Sequence, residues 1–108
     1  MPKDIWYLYI IKCRQGTLYT GITTDVNRRL QEHQSDELKG AKYLRGRGPL
    51  ELVYCCPIGE KSLALQIEYI IKRLPKSHKI KLIQKSILLE HLLVSKLNLL
   101  KNEAQNKL

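Results

Sequence analysis

The pattern of apolar and polar residues predicts two β-strands near the start of the chain. Residues 5–13, IWYLYIIKC, are apolar on both alternating faces, which is typical of a central strand covered on both sides. Residues 14–16 contain a glycine and have the composition of a short turn, and residues 17–23 again favour a strand. These segments predict an antiparallel hairpin.

The residues after the hairpin have the period of a helix. Asp25 is suited to cap the N-terminus of a helix that extends to about residue 34. At 100° per residue, Val26 and Leu30 mark its buried face.

A third strand and a second helix follow. Residues 50–56, LELVYCC, predict a strand that Pro57 and Gly59 end, and residues 60–74 predict a helix that Pro75 stops. The apolar stripe of this helix consists of Leu63, Ile67, Ile70, Ile71 and Leu74.

The remainder of the chain is helical by composition. Ser77 is suited to cap a helix that starts near His78, and the frequent apolar residues of 80–100 form one long helix or two. The polar residues 102–108 are expected to fray. The element order predicts an α+β fold, in which a three-stranded antiparallel β-sheet is flanked by helices (β-β-α-β-α-α), with an extra C-terminal helix.

Composition adds a strong positive charge to this picture. The 108 residues fit one compact domain, and 19 Lys and Arg against 10 Asp and Glu give a formal charge of +9. Such an excess predicts attraction to polyanions, most often nucleic acid, although a generally basic surface is an equal alternative. No apolar run is long enough to span a membrane and no signal peptide is evident, so we expect a cytoplasmic protein without a membrane partner.

Cysteine and histidine spacing disfavours zinc and thiol chemistry. Three cysteines, two of them adjacent, form neither a disulfide framework nor paired CxxC zinc spacing. The three histidines show no HExxH pattern. A cysteine or zinc hydrolase is therefore not expected.

A glycine-rich loop carries four of the basic residues. Residues 35–49 contain three glycines, one proline and four basic residues, and loops of this length in small domains are often functional. The basic residues are Lys39, Lys42, Arg45 and Arg47, with Tyr43 between them. This loop is suited to holding a polyanion.

Three tyrosines share one face of the predicted hairpin. Tyr7, Tyr9 and Tyr19 have the same parity, and if Cys13 pairs with Thr17, Tyr9 and Tyr19 become diagonal neighbours about 7–8 Å apart. Two phenols would then line one patch of the sheet. Alternatively, the tyrosines are there because they form sheets well.

Gly21 has the same parity as Tyr19 and stands near the end of the second strand. A glycine there leaves an open space over the sheet near Tyr9, where a ligand could approach. The alternative is a bulge or a bend at the end of the strand.

Polar residues on the two helices stand close to this patch. Arg29 lies on the flank of the buried face, Arg28 points away from the core, and His33 lies beside the buried face, four residues after Arg29. Glu68 lies at the border of the buried stripe of the second helix, with Lys72 four residues on. Glu68 is either an exposed partner of Lys72 or a carboxylate placed to bind a hard divalent cation.

Together these residue types suit hydrolysis of a phosphodiester. An arginine holds phosphate oxygens bidentately, and a metal on a carboxylate neutralises the developing charge. A phenol, whose ordinary pKa is near 10, acts as a base only if nearby cations lower that pKa. Arg29, Lys72 and a bound metal are the candidates for that role.

The spacing resembles that of the GIY-YIG nuclease domain, and in particular the small stand-alone bacterial members related to the N-terminal nuclease domain of the excision-repair excinuclease. Its two signatures correspond to Tyr7-Leu8-Tyr9 and Tyr19-Thr20-Gly21, the family arginine to Arg29 and the family glutamate to Glu68. His33 stands where homing-endonuclease members also carry histidine.

This resemblance implies metal-dependent cleavage of DNA, a role in DNA repair or recombination, and Mg²⁺ or Mn²⁺ held by Glu68. Tyr9 or Tyr19 is implied to act as base or to position water, and Arg29 to contact phosphate. The implied substrate contacts are Tyr7, Gly21, Arg28, His33, Lys42, Tyr43, Arg45, Arg47 and Lys72. We expect a nuclease domain over residues 1–84 and a helical extension over 85–108.

Two alternatives stay open. The first is a nucleic-acid-binding module of the same fold without turnover. The second is an interaction domain that works through the leucine-rich tail, so we expect a monomer or a weak homodimer through the C-terminal helix.

Overall fold

The computed structural model describes residues 4–35, 40–85 and 87–94. The chain forms two compact units, Met1–Leu74 and Pro75–Leu108. The predicted division between residues 84 and 85 stays a prediction. No described helix has the length and apolar character needed to cross a membrane.

The sheet of the first unit has the predicted antiparallel topology. Strands β1 (Trp6–Lys12), β2 (Leu18–Thr23) and β3 (Glu51–Gly59) lie in the order β2-β1-β3, which places β1 in the centre as its two apolar faces predicted. The predicted α+β class is confirmed.

The hairpin has the register assumed from the sequence. Ile11 pairs with Tyr19, and the Cys13 N–H donates a hydrogen bond to the Thr17 carbonyl at 2.9 Å. Gly16 closes the turn with φ 89°, a backbone conformation that favours glycine. This register places Tyr9 and Tyr19 as diagonal neighbours.

Strand β3 is longer than predicted. The expectation that Pro57 ends it was wrong, because Pro57 pairs with Tyr7 and the strand continues to Gly59, its last residue, which pairs with Trp6. Proline is tolerated here because β3 is an edge strand, so its missing N–H costs no hydrogen bond within the sheet.

Helix α1 (Val26–Ser35) begins as predicted. The carboxylate of Asp25 accepts a hydrogen bond from the Arg28 N–H at 3.1 Å, as expected of an N-cap. Val26 and Leu30 pack on the core, although both are only partly buried.

Helix α2 (Lys61–Lys72) buries a slightly different stripe from the one predicted. Leu63 is 47% exposed, whereas Ala64, Ile67 and Ile71 are buried. The small Ala64 lets the helix lie close to the strands, which turns Leu63 outward and rotates the buried stripe towards Glu68.

One side of the sheet carries the core on which the site is built. Tyr9, Ile11 and Cys13 of the central strand and its turn form this core with Leu44 and Leu50. Leu44, in a short 3-10 turn at Lys42–Leu44, is 2% exposed, so the basic loop is anchored in the core by an apolar side chain.

The second unit is helical where it is described. Helix α3 spans Lys76–Ile83 and follows Pro75, so the predicted cap at Ser77 and start near His78 were two residues late. Residues 89–94 are also helical. The predicted helical and frayed tail beyond residue 94 lies outside the described residues, as does Lys39 of the basic loop.

Candidate active site

Two phenols and an imidazole lie together on the α1 side of the sheet. The rings of Tyr9 and Tyr19 are 6.4 Å apart between centroids, and the His33 ring is 6.1 Å from Tyr9 and 5.6 Å from Tyr19. As predicted from their alternate positions along the strands, the hairpin register brings Tyr9 and Tyr19 to one patch of the sheet.

The space over Gly21 is filled, and the expectation that it is open was wrong. Gly21 pairs with Tyr9, and a Cβ atom at this position would lie 2.6 Å from Cζ of the Tyr9 ring. The Tyr9 side chain crosses the strand where Gly21 has none. Gly21 thus permits the conformation of Tyr9 and does not present a surface to a ligand.

His33 is buried at 7% exposure and bonded through both ring nitrogens. Nδ1 accepts a hydrogen bond from the Ala41 N–H at 2.9 Å, so in the neutral ring the proton is on Nε2. Nε2 lies 2.9 Å from the Tyr9 hydroxyl and therefore donates to it. Burial lowers the pKa of His33 to about 4, and the Arg29 charge adds to that effect.

Arg29 reaches from α1 to the phenols, as predicted. Its guanidinium hydrogen-bonds to Tyr9 and forms an ion pair with Glu32 at 3.3 Å. The side chain remains 30% exposed, so it faces both the buried phenols and solvent.

Glu68 approaches the same patch from α2. Its carboxylate lies 3.7 Å from the ammonium of Lys72, and that ammonium lies 5.9 Å from the centre of the Tyr19 ring. The negative charge of Glu68 also acts on the pKa of both Tyr9 and Tyr19. The carboxylate is therefore a partly buried helix partner of Lys72 that also lies near the phenols, and its binding of a divalent cation stays a prediction.

Burial outweighs Arg29 in setting the pKa values of both phenols, and the effect of a bound metal stays a prediction. Burial raises the pKa of Tyr9 to about 12, reinforced by Tyr19 and opposed by Arg29. Burial also raises the pKa of Tyr19. The charge of Arg29 opposes this rise and the charge of Glu68 adds to it, while a hydrogen bond from Tyr9 lowers the pKa. Desolvation of the phenolate outweighs one nearby guanidinium, so both phenols hold their protons near neutral pH.

The basic loop covers part of this patch with an aromatic stack. The Tyr43 ring lies 6.0 Å from the Tyr19 ring at an interplanar angle of 21°, and the Arg47 guanidinium carbon lies 4.4 Å from the centre of Tyr43. Tyr43 is still 46% exposed. Lys42 and Arg45, also in this loop, are exposed.

Two residues predicted to bind substrate lie apart from this cluster. Arg28 is exposed on the outer side of α1, as its spacing indicated. Tyr7 lines a separate open cleft with Asp25, Asn27 and Cys55. Neither has a described contact with the paired phenols.

Sequence reasoning missed the bond that fixes His33. The backbone N–H of Ala41 carries no residue-specific signal. An apolar Leu44 in a polar loop was the available indication that this segment packs against the core and reaches the histidine.

The fold is a small α+β domain with two phenols, an imidazole and a guanidinium on one patch of its sheet. Residues 5–81 match the model described as the GIY-YIG catalytic domain, and the chain belongs to this family. The resemblance drawn from the two tyrosine signatures is thereby confirmed.

The chain is also similar to small stand-alone proteins. It is 57% identical over 79 residues to a UPF0213 protein of Pectobacterium carotovorum, covering 73% of this chain and 78% of the relative. It is 52% identical over 83 residues to a UPF0213 protein of Yersinia pestis, covering 77% and 85%. The solution NMR structure of protein EF2693 from E. faecalis matches with a TM-score of 0.54 and 31% identity, covering 78% and 88%.

Proposed function

We propose that this protein is a metal-dependent endonuclease that hydrolyses phosphodiester bonds of DNA. The observation that carries the proposal is the set of contacts among side chains from four elements: Tyr9 and Tyr19 lie 6.4 Å apart, Arg29 hydrogen-bonds to Tyr9, and Glu68 pairs with Lys72, whose ammonium lies 5.9 Å from the Tyr19 ring. Such interactions require the four groups to face one small area.

Arg29 is the proposed phosphate contact. Its guanidinium is held by Glu32 on one side and by Tyr9 on the other, while part of it faces solvent. A planar guanidinium fixed in this way presents N–H groups to two phosphate oxygens and stabilises the charge of the transition state.

Tyr19 is the phenol we assign to the attacking water. The Tyr9 hydroxyl accepts a hydrogen bond from His33. A second hydrogen bond joins Tyr9 to Tyr19 and lowers the pKa of Tyr19. Because a bond that lowers this pKa must favour the phenolate, Tyr9 is the donor and the Tyr19 oxygen the acceptor. Tyr9 therefore orients Tyr19 and favours its ionised form. Tyr19 then positions the attacking water, and it accepts a proton from that water only in its ionised form, which burial disfavours in the free protein.

Glu68 fits a hard divalent cation such as Mg²⁺ or Mn²⁺. Among the described residues no group of three His, Cys, Asp or Glu side chains could enclose an ion. One accessible carboxylate with water and substrate oxygens is coordination that Mg²⁺ accepts. When bound, such an ion neutralises charge that develops on the phosphate. Lys72, paired with Glu68, holds a positive charge beside the carboxylate in the free protein.

The basic loop and neighbouring cations are the proposed substrate contacts. Lys42, Arg45 and Arg47 supply positive charge beside Tyr43, and Lys72 supplies it beside Tyr19. Arg28, on the outer side of α1, is assigned to a more distant phosphate. His33 and Gly21 act through Tyr9, and Tyr7 extends the same strand face.

Incubation of the purified protein with nicked, flapped and single-stranded DNA tests this proposal. Each substrate is followed with EDTA, Mg²⁺ or Mn²⁺, in parallel for the wild type and Glu68→Ala. We expect metal-dependent cleavage of at least one substrate and its loss in the variant. No cleavage of any substrate, or equal cleavage by Glu68→Ala, contradicts the proposal.

A binding module without turnover is the second candidate. It is favoured by one observation, the raised pKa values of both phenols, because a protonated tyrosine is a poor base. Such a module would bind DNA with a steep salt dependence and would not cut it under any metal condition.

We further propose action in the cytoplasm, on DNA under repair or recombination, as a monomer or a weak homodimer through the C-terminal helix. Molecular mass in solution before and after removal of residues 85–108 tests the last point. An unchanged monomer would contradict a dimerising tail.

A further inference from the structure

A cluster of three arginines lies beside the cluster of phenols, and it joins Arg14 to two cations of the basic loop that are already proposed as substrate contacts. Arg14 from the β1–β2 turn and Arg45 and Arg47 from the basic loop line one open cleft of about 340 Å³. Cys13, Gln15 and Gly46 complete the lining, so none of the described residues that border this cleft is acidic. Arg14 has no role in the site described above.

The backbone holds the two sides of this cleft together. The Arg14 N–H donates a hydrogen bond to the Arg47 carbonyl at 3.0 Å, which ties the hairpin turn to the loop. Gly46 has φ +70°, a conformation that favours glycine, and it separates the two loop arginines. The backbone segments that carry Arg14 and Arg47 are therefore joined directly by a hydrogen bond.

We propose that this cleft is a phosphate-binding subsite for the nucleic acid strand that is cut at Tyr19. Three like charges around one cleft repel one another unless an anion enters, and arginine forks suit phosphate oxygens. This inference rests on the proposed function for the identity of the strand. The subsite itself rests on the arginines and on their backbone link.

The position of the cleft fits the same strand. Arg47 contacts Tyr43 at 4.4 Å, and Tyr43 stacks on Tyr19 at 6.0 Å. The path from Arg47 through Tyr43 to Tyr19 is therefore no longer than about three nucleotides, at ~3.4 Å per nucleotide along one strand. A phosphate in the cleft would thus lie a few nucleotides at most from the phosphate at Tyr19.

Binding of a short labelled DNA strand tests the subsite without cleavage. Affinity is measured by fluorescence anisotropy in EDTA at several KCl concentrations, with Glu68→Gln as the background. The variants are Arg14→Gln and, as a matched control, Lys61→Gln, which also removes one exposed positive charge but lies outside the cleft, over the Trp6 ring.

We expect Arg14→Gln to weaken binding about ten-fold and to lower the slope of log affinity against log salt by about 0.7. Lys61→Gln should change the affinity less than about two-fold. If Arg14 and Arg45 share one phosphate, the double variant Arg14→Gln/Arg45→Gln should lose less than the product of the two single losses. Equal effects of Arg14→Gln and Lys61→Gln, or fully additive losses, would overturn the subsite.

These results separate the two proposals. If the protein cleaves DNA with a metal but Arg14→Gln weakens DNA binding no more than Lys61→Gln does, the subsite is contradicted and the nuclease proposal stands. If Arg14→Gln weakens DNA binding more than Lys61→Gln does but the protein cuts no DNA, the subsite stands and the nuclease proposal is contradicted.

Discussion

The hydroxyl of Tyr9 lies 2.9 Å from Nε2 of His33, and the proton of this hydrogen bond is on the histidine. The assignment follows from the other ring nitrogen, which accepts from the Ala41 N–H. The Ala41 N–H of the loop thus fixes the tautomer of His33, which in turn donates to the Tyr9 oxygen. The Tyr9 proton then points towards Tyr19 and forms a hydrogen bond with it.

This chain of bonds predicts a pH dependence of stability. The pKa of His33 falls from 6.5 to about 4 on folding, so the unfolded chain binds more protons between these values. The resulting stability is present above about pH 6.5 and is lost as the pH falls to about 4. We expect a loss of about 1–3 kcal/mol in the free energy of unfolding across this range.

Urea unfolding of the wild type and His33→Gln at several pH values measures this loss. The variant should lose less stability on acidification than the wild type does. His91→Gln, at an exposed histidine, serves as the control and should keep the wild-type dependence. Parallel pH curves for the wild type and His33→Gln would contradict the assignment.

Gly21→Ala should disturb the site through one methyl group. The added Cβ would lie 2.6 Å from Cζ of Tyr9, so the ring has to move, at a cost of about 1–3 kcal/mol in unfolding free energy. The nearest atom to a Cβ at Gly48 is 3.9 Å away, so Gly48→Ala is the matched control. In a Tyr9→Leu background the cost of Gly21→Ala should shrink, and an unchanged cost would show that the Tyr9 ring is not its cause.

The packing of the basic loop against the core should depend on the buried side chain of Leu44. Leu44 is 2% exposed, so Leu44→Ala should lower the free energy of unfolding by about 2–5 kcal/mol. Leu63→Ala removes the same atoms from a residue that is 47% exposed and should cost less than about 1 kcal/mol. Thermal or urea denaturation gives both values, and similar costs at the two positions would argue against a packed loop.

Lys72 should compete with a metal for Glu68. The pair is 3.7 Å apart and Lys72 is half exposed, so its contribution is small. Lys72→Met should therefore tighten Mn²⁺ binding by no more than about five-fold, which corresponds to ~1 kcal/mol. Calorimetric titration of Mn²⁺ checks this, with Arg73→Met, directly after the same helix, as the control. Unchanged or weaker binding by Lys72→Met would contradict the competition.

Local sequence rules predicted the elements of the first unit and the side chains that meet on one face. The parity of Tyr9 and Tyr19, the turn at Gly16 and the cap at Asp25 depend on neighbours close in sequence, and each is present as expected. The four-residue spacing of Glu68 and Lys72 likewise predicted their ion pair.

The features that were missed depend on packing between distant segments. Only the packed sheet shows that Tyr9 fills the space at Gly21. The phenol pKa values depend on how deeply the rings are buried, which outweighs the cations that the sequence makes visible. The bond from Ala41 to His33 joins a backbone group to a side chain eight residues away, and no residue type at position 41 specifies it.

Anomalous scattering from a Mn²⁺-soaked crystal tests the central claim most directly. We predict one peak about 2.0–2.3 Å from a carboxylate oxygen of Glu68, on the side that faces Tyr9, Tyr19 and Arg29, and its loss in Glu68→Gln. A saturated crystal with no peak at Glu68, or with a peak that persists in Glu68→Gln, would contradict a metal-dependent active site built on these four side chains.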